Sequence, residues 1–254
     1  MIKEIRAEKL KVKVYETRRD MGGEAAREMS GVLKQLLKEK DEVNIIFAAA
    51  PSQNEFLEML VKTDGIEWKR VNAFHMDEYI GLDANAPQGF GNFLRDRIFS
   101  KVEFKSVNYL NGNASNPKEE SLRYTDLLKK YPVDIVCMGI GENGHIAFND
   151  PHVALFNDTK LAKVVKLDKV CRKQQVNDGC FNNINEVPTH ALTLTVPALI
   201  SAKYIFCIVP SKTKADAVTR TINGKIDQSC PATILKTHDH AIMYIEKDSA
   251  VGII

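Results

Sequence analysis

A glycine turn carrying one histidine and one carboxylate, Gly139-Ile140-Gly141-Glu142-Asn143-Gly144-His145-Ile146-Ala147-Phe148-Asn149-Asp150-Pro151, directly follows the apolar run Val133 to Met138. Open α/β sheets bind small ligands beyond the carboxyl ends of their strands, so polar residues leaving a buried strand form a candidate site. An imidazole at such a position can be oriented through one ring nitrogen while the other exchanges a proton with substrate. Asp150, five residues after His145, is the candidate orienting group. The alternative is a turn in which Asp150 only caps backbone amides ahead of Pro151. Gly139-x-Gly141-x-x-Gly144 formally matches a dinucleotide fingerprint, but that motif must open a helix whose N-terminus meets the pyrophosphate. The stretch from His145 to Pro151 lacks a helical apolar period and ends in proline. Gly141 and Gly144 are therefore read as allowing the backbone to approach a ligand and as aiming His145.

Three further segments carry candidate chemistry. His75-Met76-Asp77-Glu78-Tyr79 follows the apolar run Val71 to Phe74. Adjacent carboxylates on an extended chain point to opposite faces, so Asp77 is assigned to the pocket and Glu78 to a structural role. A carboxylate held near apolar walls gains proton affinity and can serve as a base, and the competing reading of Asp77 is an Asx turn. Ala48-Ala49-Ala50-Pro51-Ser52-Gln53-Asn54-Glu55 joins a strand to a helix. Its Ser52-x-x-Glu55 spacing reads as a capping box, while a phosphate at this helix start would meet Ser52, Gln53 and Asn54. In Pro210-Ser211-Lys212-Thr213-Lys214 two lysines enter the first turn of a helix, where they oppose its dipole. An anion at Lys214 would offset that cost, the alternative being a solvated lysine.

The elements needed to position these groups are legible as alternating periodicities. Near-continuous apolar runs at residues 43–48, 71–74, 133–138, 191–196 and 204–209 suit strands covered on both faces, and all are expected to be parallel. Helical patterns fall at about 18–40, 53–63, 90–100, 117–130 and 212–223, giving a β-α-β series with right-handed crossovers. The expected fold is therefore α/β, with parallel strands joined through helices and residues 1–254 as one domain. Residues 151–188 are the least regular and read as a lid, a second pocket wall or a surface excursion. A net charge of +2 with 27% charged residues supplies no field for nucleic acid, so the expected partner is a small molecule. No segment has the length and apolarity of a membrane span. The five cysteines show no Cys-x-x-Cys spacing and mostly lie in apolar stretches. Together with a start that lacks an apolar signal core, they lead to the expectation of a soluble cytoplasmic protein.

At the level of whole motifs the chain resembles the glucosamine-6-phosphate deaminase (isomerase) family. The resemblance rests on Met76-Asp77-Glu78-Tyr79-Ile80-Gly81-Leu82 and on the Gly139 to Pro151 block. Weaker echoes are Leu110-Asn111-Gly112-Asn113, Val187-Pro188-Thr189-His190-Ala191-Leu192-Thr193 and Lys212 to Val218. It implies the α/β fold of the deaminase, ribose-5-phosphate isomerase and CoA-transferase group, a Rossmann-like, mainly parallel sheet flanked by helices. It also implies conversion of an amino-sugar phosphate from aldose to ketose with loss of ammonia, requiring neither redox cofactor nor metal. Asp77 would then move the C2 proton, and His145 would exchange a proton with the ring oxygen. Asp150 would orient His145 in place of a glutamate, Asn143 would stand at a position that is often aspartate, and Lys214 would bind phosphate. A homo-oligomer is compatible with the family. Two departures follow from the same comparison: the phosphate turn has become Ala50 to Glu55, and Arg172 lies too early to be the basic residue expected before Val187-Pro188. The competing readings are a 6-phosphogluconolactonase-type hydrolase and a non-catalytic sugar-phosphate-binding protein.

Overall fold

Two sheets organise the chain in a computed structural model that describes residues 1–253. The first contains β1 (Lys3–Ala7), β2 (Leu10–Tyr15), β3 (Val43–Phe47), β4 (Val71–His75), β6 (Ser106–Asn108), β7 (Ile135–Met138), β10 (Tyr204–Val209) and β11 (Ala241–Glu246). Its strand order is β1-β2-β11-β10-β7-β3-β4-β6. Every pairing is parallel except the hairpin β1–β2, as the fold expected from the sequence requires. The second sheet is small and antiparallel, β5 (Asp77–Tyr79), β9 (His190–Leu194) and β8 (Ala162–Lys166) in the order β5-β9-β8.

The run at 191–196 is therefore a correction. It was expected to lie in the parallel sheet, but it pairs antiparallel with β5 and β8 in the second. Its continuous hydrophobicity arises because Leu192 and Leu194 enter one apolar core while Ala191 enters the other, so both faces are covered without parallel neighbours.

Helices α1 (Arg18–Glu39), α2 (Asn54–Val61), α3 (Phe90–Leu94), α4 (Pro117–Lys130), α5 (Lys169–Asn177), α6 (Val196–Ile200) and α7 (Ala215–Asn223) cover the sheets. Local signals explain several starts. Thr17 accepts from the Asp20 amide at the head of α1, and Asn116, immediately before Pro117, accepts from the amides of Lys118 and Glu119 in the first turn of α4. α3 continues as a wider π turn over Arg95–Phe99, so the single helical pattern at 90–100 covers two geometries. The irregular stretch 151–188 contains β8 and α5, and α5 forms a second wall of the main cavity.

The capping box assigned to Ser52 and Glu55 is absent: residues Pro51–Gln53 form a 3₁₀ turn with no side-chain cap, and Glu55 instead holds Arg18 at 2.9 Å. This follows from the close crossing of α1 and α2 at Gly22, where an added Cβ would lie 2.8 Å from Glu55 Cβ and 2.9 Å from the Phe56 nitrogen. Gly22→Val should cost about 1–3 kcal/mol through overpacking at this crossing. A urea midpoint unchanged from the parent would show that the helices do not meet there.

Candidate active site

The connection after β3, the glycine turn after β7 and the segment after β10 leave three adjacent strands at their carboxyl ends, and β4 runs on through Met76 to Asp77. Between β3 and β7 the chain order reverses, which is where open α/β sheets form a crevice. A cavity of about 230 Å³ lies there, bordered by Ser52, Asp77, Gly141, His145, Gln175 and Lys214 among others. Three residues that had been assigned to ligand binding do not border it. The Gln53 side chain is buried beneath the floor and donates to Ser52 Oγ at 3.0 Å and toward the carbonyls of Met138 and Ile208. Asn54 accepts from Arg97 on the far side of its helix start, and Gly144 packs on Cys230.

Asp77 is held by its backbone. The His75 ring is fully buried, and burial pushes its pKa down to about 4, so it is neutral. Its Nε2 accepts from the Leu110 amide at 2.9 Å, which leaves Nδ1–H to donate to the Asp77 carbonyl at 2.9 Å. The Asp77 carboxylate makes no hydrogen bond among the described residues, and burial, then the charge of Glu78, raises its pKa well above the ordinary carboxylate value. Glu78 points the other way and accepts from the amides of Tyr79, Phe90 and Gly91, the structural role expected for it.

His145 is held through Nδ1. Asn143 Oδ1 lies 2.8 Å from that nitrogen, Asp150 Oδ1 lies 3.2 Å away, and Asn143 Nδ2 donates to the same Asp150 oxygen at 2.9 Å. Both neighbours of Nδ1 are acceptors, so Nδ1 carries a proton, and in the neutral ring the lone pair falls on Nε2. Burial works to raise the Asp150 pKa, but the bonds from His145, Asn143 and the Asp168 amide outweigh it and hold the group below its usual value. Gly141 is required beside the ring: a Cβ there would come within 2.0 Å of His145 Cε1. Asn143 and Asp150 thus stand behind the imidazole rather than in the cavity wall.

Lys214 is buried, and its ammonium has no hydrogen-bond partner among the described residues. Burial lowers its pKa, with the carboxylates of Asp178 and Glu142 opposing the shift. An unpaired buried ammonium is costly, and an anion in the cavity beside Lys214 would offset that cost. Neither reading of this lysine as a solvated residue nor as part of the helix proper holds, since α7 begins only at Ala215.

Several residues bordering the cavity gave no signal in the sequence. Gln174 and Gln175 come from α5 and Asp178 from its C-cap, and Gln174 also accepts from the Glu142 amide at 2.8 Å. Arg18 comes from the start of α1, bound in two-pronged fashion by Glu55 and donating to the Pro51 carbonyl at 3.1 Å. Arg172 faces elsewhere and binds the carbonyls of Ile184 and Val187.

A carboxylate of raised proton affinity, an imidazole held through Nδ1 and a buried lysine thus border one small cavity, a set of groups with the chemistry of general acid–base work. The family described as glucosamine-6-phosphate isomerases/6-phosphogluconolactonase matches residues 16–244, and the chain belongs to it. A glucosamine-6-phosphate deaminase of Listeria monocytogenes serotype 4a is 35% identical over 210 residues, covering 82% of this chain and 87% of the relative. The solved structure of a monomeric glucosamine-6-phosphate deaminase superposes with a TM-score of 0.85 at 28% identity, covering 95% of this chain and 99% of that one. A 6-phosphogluconolactonase from Thermotoga maritima shares the fold, with a TM-score of 0.75 at 18% identity over 93% of this chain and 99% of its own. No helix among the described residues is long and apolar enough to cross a membrane.

The raised pKa of Asp77 has a consequence for stability. Its folded value exceeds its unfolded value, so the folded state holds the proton more tightly and loses stability as pH rises from the unfolded value through the folded one. Asp77→Asn should therefore raise the melting temperature at about pH 8 by about 2 °C or more, with the gain vanishing near pH 3, below the unfolded aspartate value. Calorimetry across that range checks the sign; an equal gain at both ends would show that the charge is not the source.

Proposed function

We propose that this chain is a glucosamine-6-phosphate deaminase, converting glucosamine 6-phosphate and water to fructose 6-phosphate and ammonia. The observation that carries the reading is that Asp77, His145 and Lys214 border one cavity in which the Asp77 carboxylate and the Lys214 ammonium both lack a protein partner. Relatives named glucosamine-6-phosphate deaminase support the substrate.

In this reading the phosphate pairs with Lys214. Ser52 Oγ already accepts from Gln53, which frees its own O–H to donate to the phosphate. Glu55 would oppose an anion at this end of α2, and Arg18 neutralises it. His145 Nε2 takes the proton of the anomeric hydroxyl and delivers it to the ring oxygen as the ring C–O bond breaks, and the Asp150–Asn143 pair stabilises the imidazolium formed between the two transfers. Asp77 takes the C2 proton and returns it at C1, leaving an imine at C2. Water adds to that carbon, the C–N bond breaks and ammonia leaves as the C2 carbonyl forms. In the same reading the enzyme works in the cytoplasm, a compartment in which its five unpaired cysteines would stay reduced.

Purified protein given glucosamine 6-phosphate should release ammonia in step with fructose 6-phosphate. Asp77→Asn should lower kcat by about 10²–10⁴-fold with KM little changed, the usual yield of a positioned base. Lys214→Ala should raise KM by roughly 10-fold or more, the worth of a charged hydrogen bond. Hydrolysis of 6-phosphogluconolactone without ammonia release from any amino-sugar phosphate would overturn the assignment.

A further inference from the structure

We propose that His145, Asp150 and Cys171 form a binding site for a divalent metal ion of the zinc class, and that an ion bound there switches the catalytic imidazole off. One donor atom from each residue lies within 4.8 Å of the other two, and all three side chains are buried. Cys171 has no part in the proton transfers derived for Asp77 and His145. It stands three and four residues before Gln174 and Gln175 on α5, so it shares the helix face that borders the cavity.

The donor chemistry favours a particular class of ion. Sulfur, imidazole nitrogen and a single carboxylate make a set suited to Zn²⁺ or Co²⁺, whereas Mg²⁺ and Ca²⁺ require oxygen donors. Asn143 Oδ1, 2.8 Å from His145 Nδ1, lies on the same side of the ring and leaves an oxygen available for a fourth position. Charge also balances: a dication between one thiolate and one carboxylate is neutral, the condition under which burial is least costly.

Binding has a defined proton balance and a defined consequence. The Cys171 thiol releases one proton to solvent as its sulfur binds the ion. The His145 proton leaves Nδ1, which becomes a ligand, and the neutral imidazole carries it on Nε2 instead. Nε2 is then a donor with no lone pair, so it can no longer take the anomeric hydroxyl proton that must leave for the ring to open. The ion is held behind the imidazole, on the side away from the cavity, and therefore acts as an inhibitor of turnover rather than as a cofactor.

Metal-free protein titrated with Co²⁺ should develop a near-ultraviolet thiolate-to-cobalt charge-transfer band saturating at one ion per chain, and Zn²⁺ should abolish the band and inhibit turnover. In Cys171→Ser and Cys171→Val the band should be absent and the inhibition constant for Zn²⁺ raised at least about tenfold, with metal-free turnover retained. Cys180→Ser should keep both the band and the inhibition. Absence of the band in the parent protein, its persistence in either folded Cys171 variant, or its loss in Cys180→Ser would overturn the proposal. The cobalt spectrum is independent of which sugar phosphate the cavity takes, so failure of this site and failure of the deaminase reading are distinguishable.

Discussion

The insertion of β7 between β3 and β10 is the constraint on which the site depends. The chain builds one half of the parallel sheet outward through β3, β4 and β6, then returns to the centre for β7 and continues the other way through β10 and β11. Connections leaving neighbouring strands toward opposite edges must diverge, and the gap between them is the crevice. Residues distant in sequence, Ser52, His145 and Lys214, are adjacent because their strands are neighbours. β4 contributes differently: its chain does not turn back but extends into β5, and pairing of β5 with β9 carries Asp77 over the crevice. The second sheet thereby holds Asp77, while the first positions His145 and Lys214. The Phe148 amide donates to Thr193 of β9 and Asn149 donates to the Leu194 carbonyl, so the same strand also fastens the His145 loop.

Burial of unpaired charge is the energetic cost of this arrangement. Asp77 and Lys214 are both largely removed from water without a hydrogen-bonding partner, and each would be more stable solvated. What holds them is neighbouring backbone: the His75 ring clamps the Asp77 carbonyl, and the 3₁₀ turn Lys212–Lys214 directs its last side chain inward from a strand end. Their charges are opposite, so a molecule with an anionic group at one end and an acidic C–H at the other relieves both at once. That is the pattern of a site that is strained when empty and relaxed by its own ligand.

The sequence makes the glycine turn legible because its chemistry and geometry coincide. Gly141 is needed for the space that His145 occupies, Gly144 has a φ of 83°, and both requirements appear as glycines beside a histidine. Asp77 is equally visible, since a carboxylate pair after an apolar run admits few structural roles. α5 was not, because its inward face is built from Gln174 and Gln175, whose polarity hides the helical period that burial would otherwise show. The Ser52–Glu55 spacing misleads for another reason. Local capping chemistry would satisfy it, but Arg18, 37 residues away, offers Glu55 a two-pronged charged bond that a backbone amide cannot match. Long-range competition of this kind leaves no local pattern. The direction of β9 was hidden likewise, since hydrophobicity records how many faces are covered and not which way the neighbours run.

Asn143 and Asp150 are best understood together. Asp150 has the shorter acidic side chain, yet it reaches His145 directly at 3.2 Å because the bridge between Ile146 and Asn149 folds the loop back on itself. Asn143 Nδ2 lies 2.9 Å from the same carboxylate oxygen. A carboxylate at position 143 would set two negative groups at that separation in a buried place, and one of them would have to take up a proton. An amide avoids the conflict because it has a donor end and an acceptor end: it donates to Asp150 and offers its oxygen to the imidazole. The couple then carries a single negative charge, delivered to Nδ1 both directly and through a polarised amide. The close approach of Asp150 and the neutrality of Asn143 are thus one solution rather than two separate departures, since each removes the difficulty that the other would create alone.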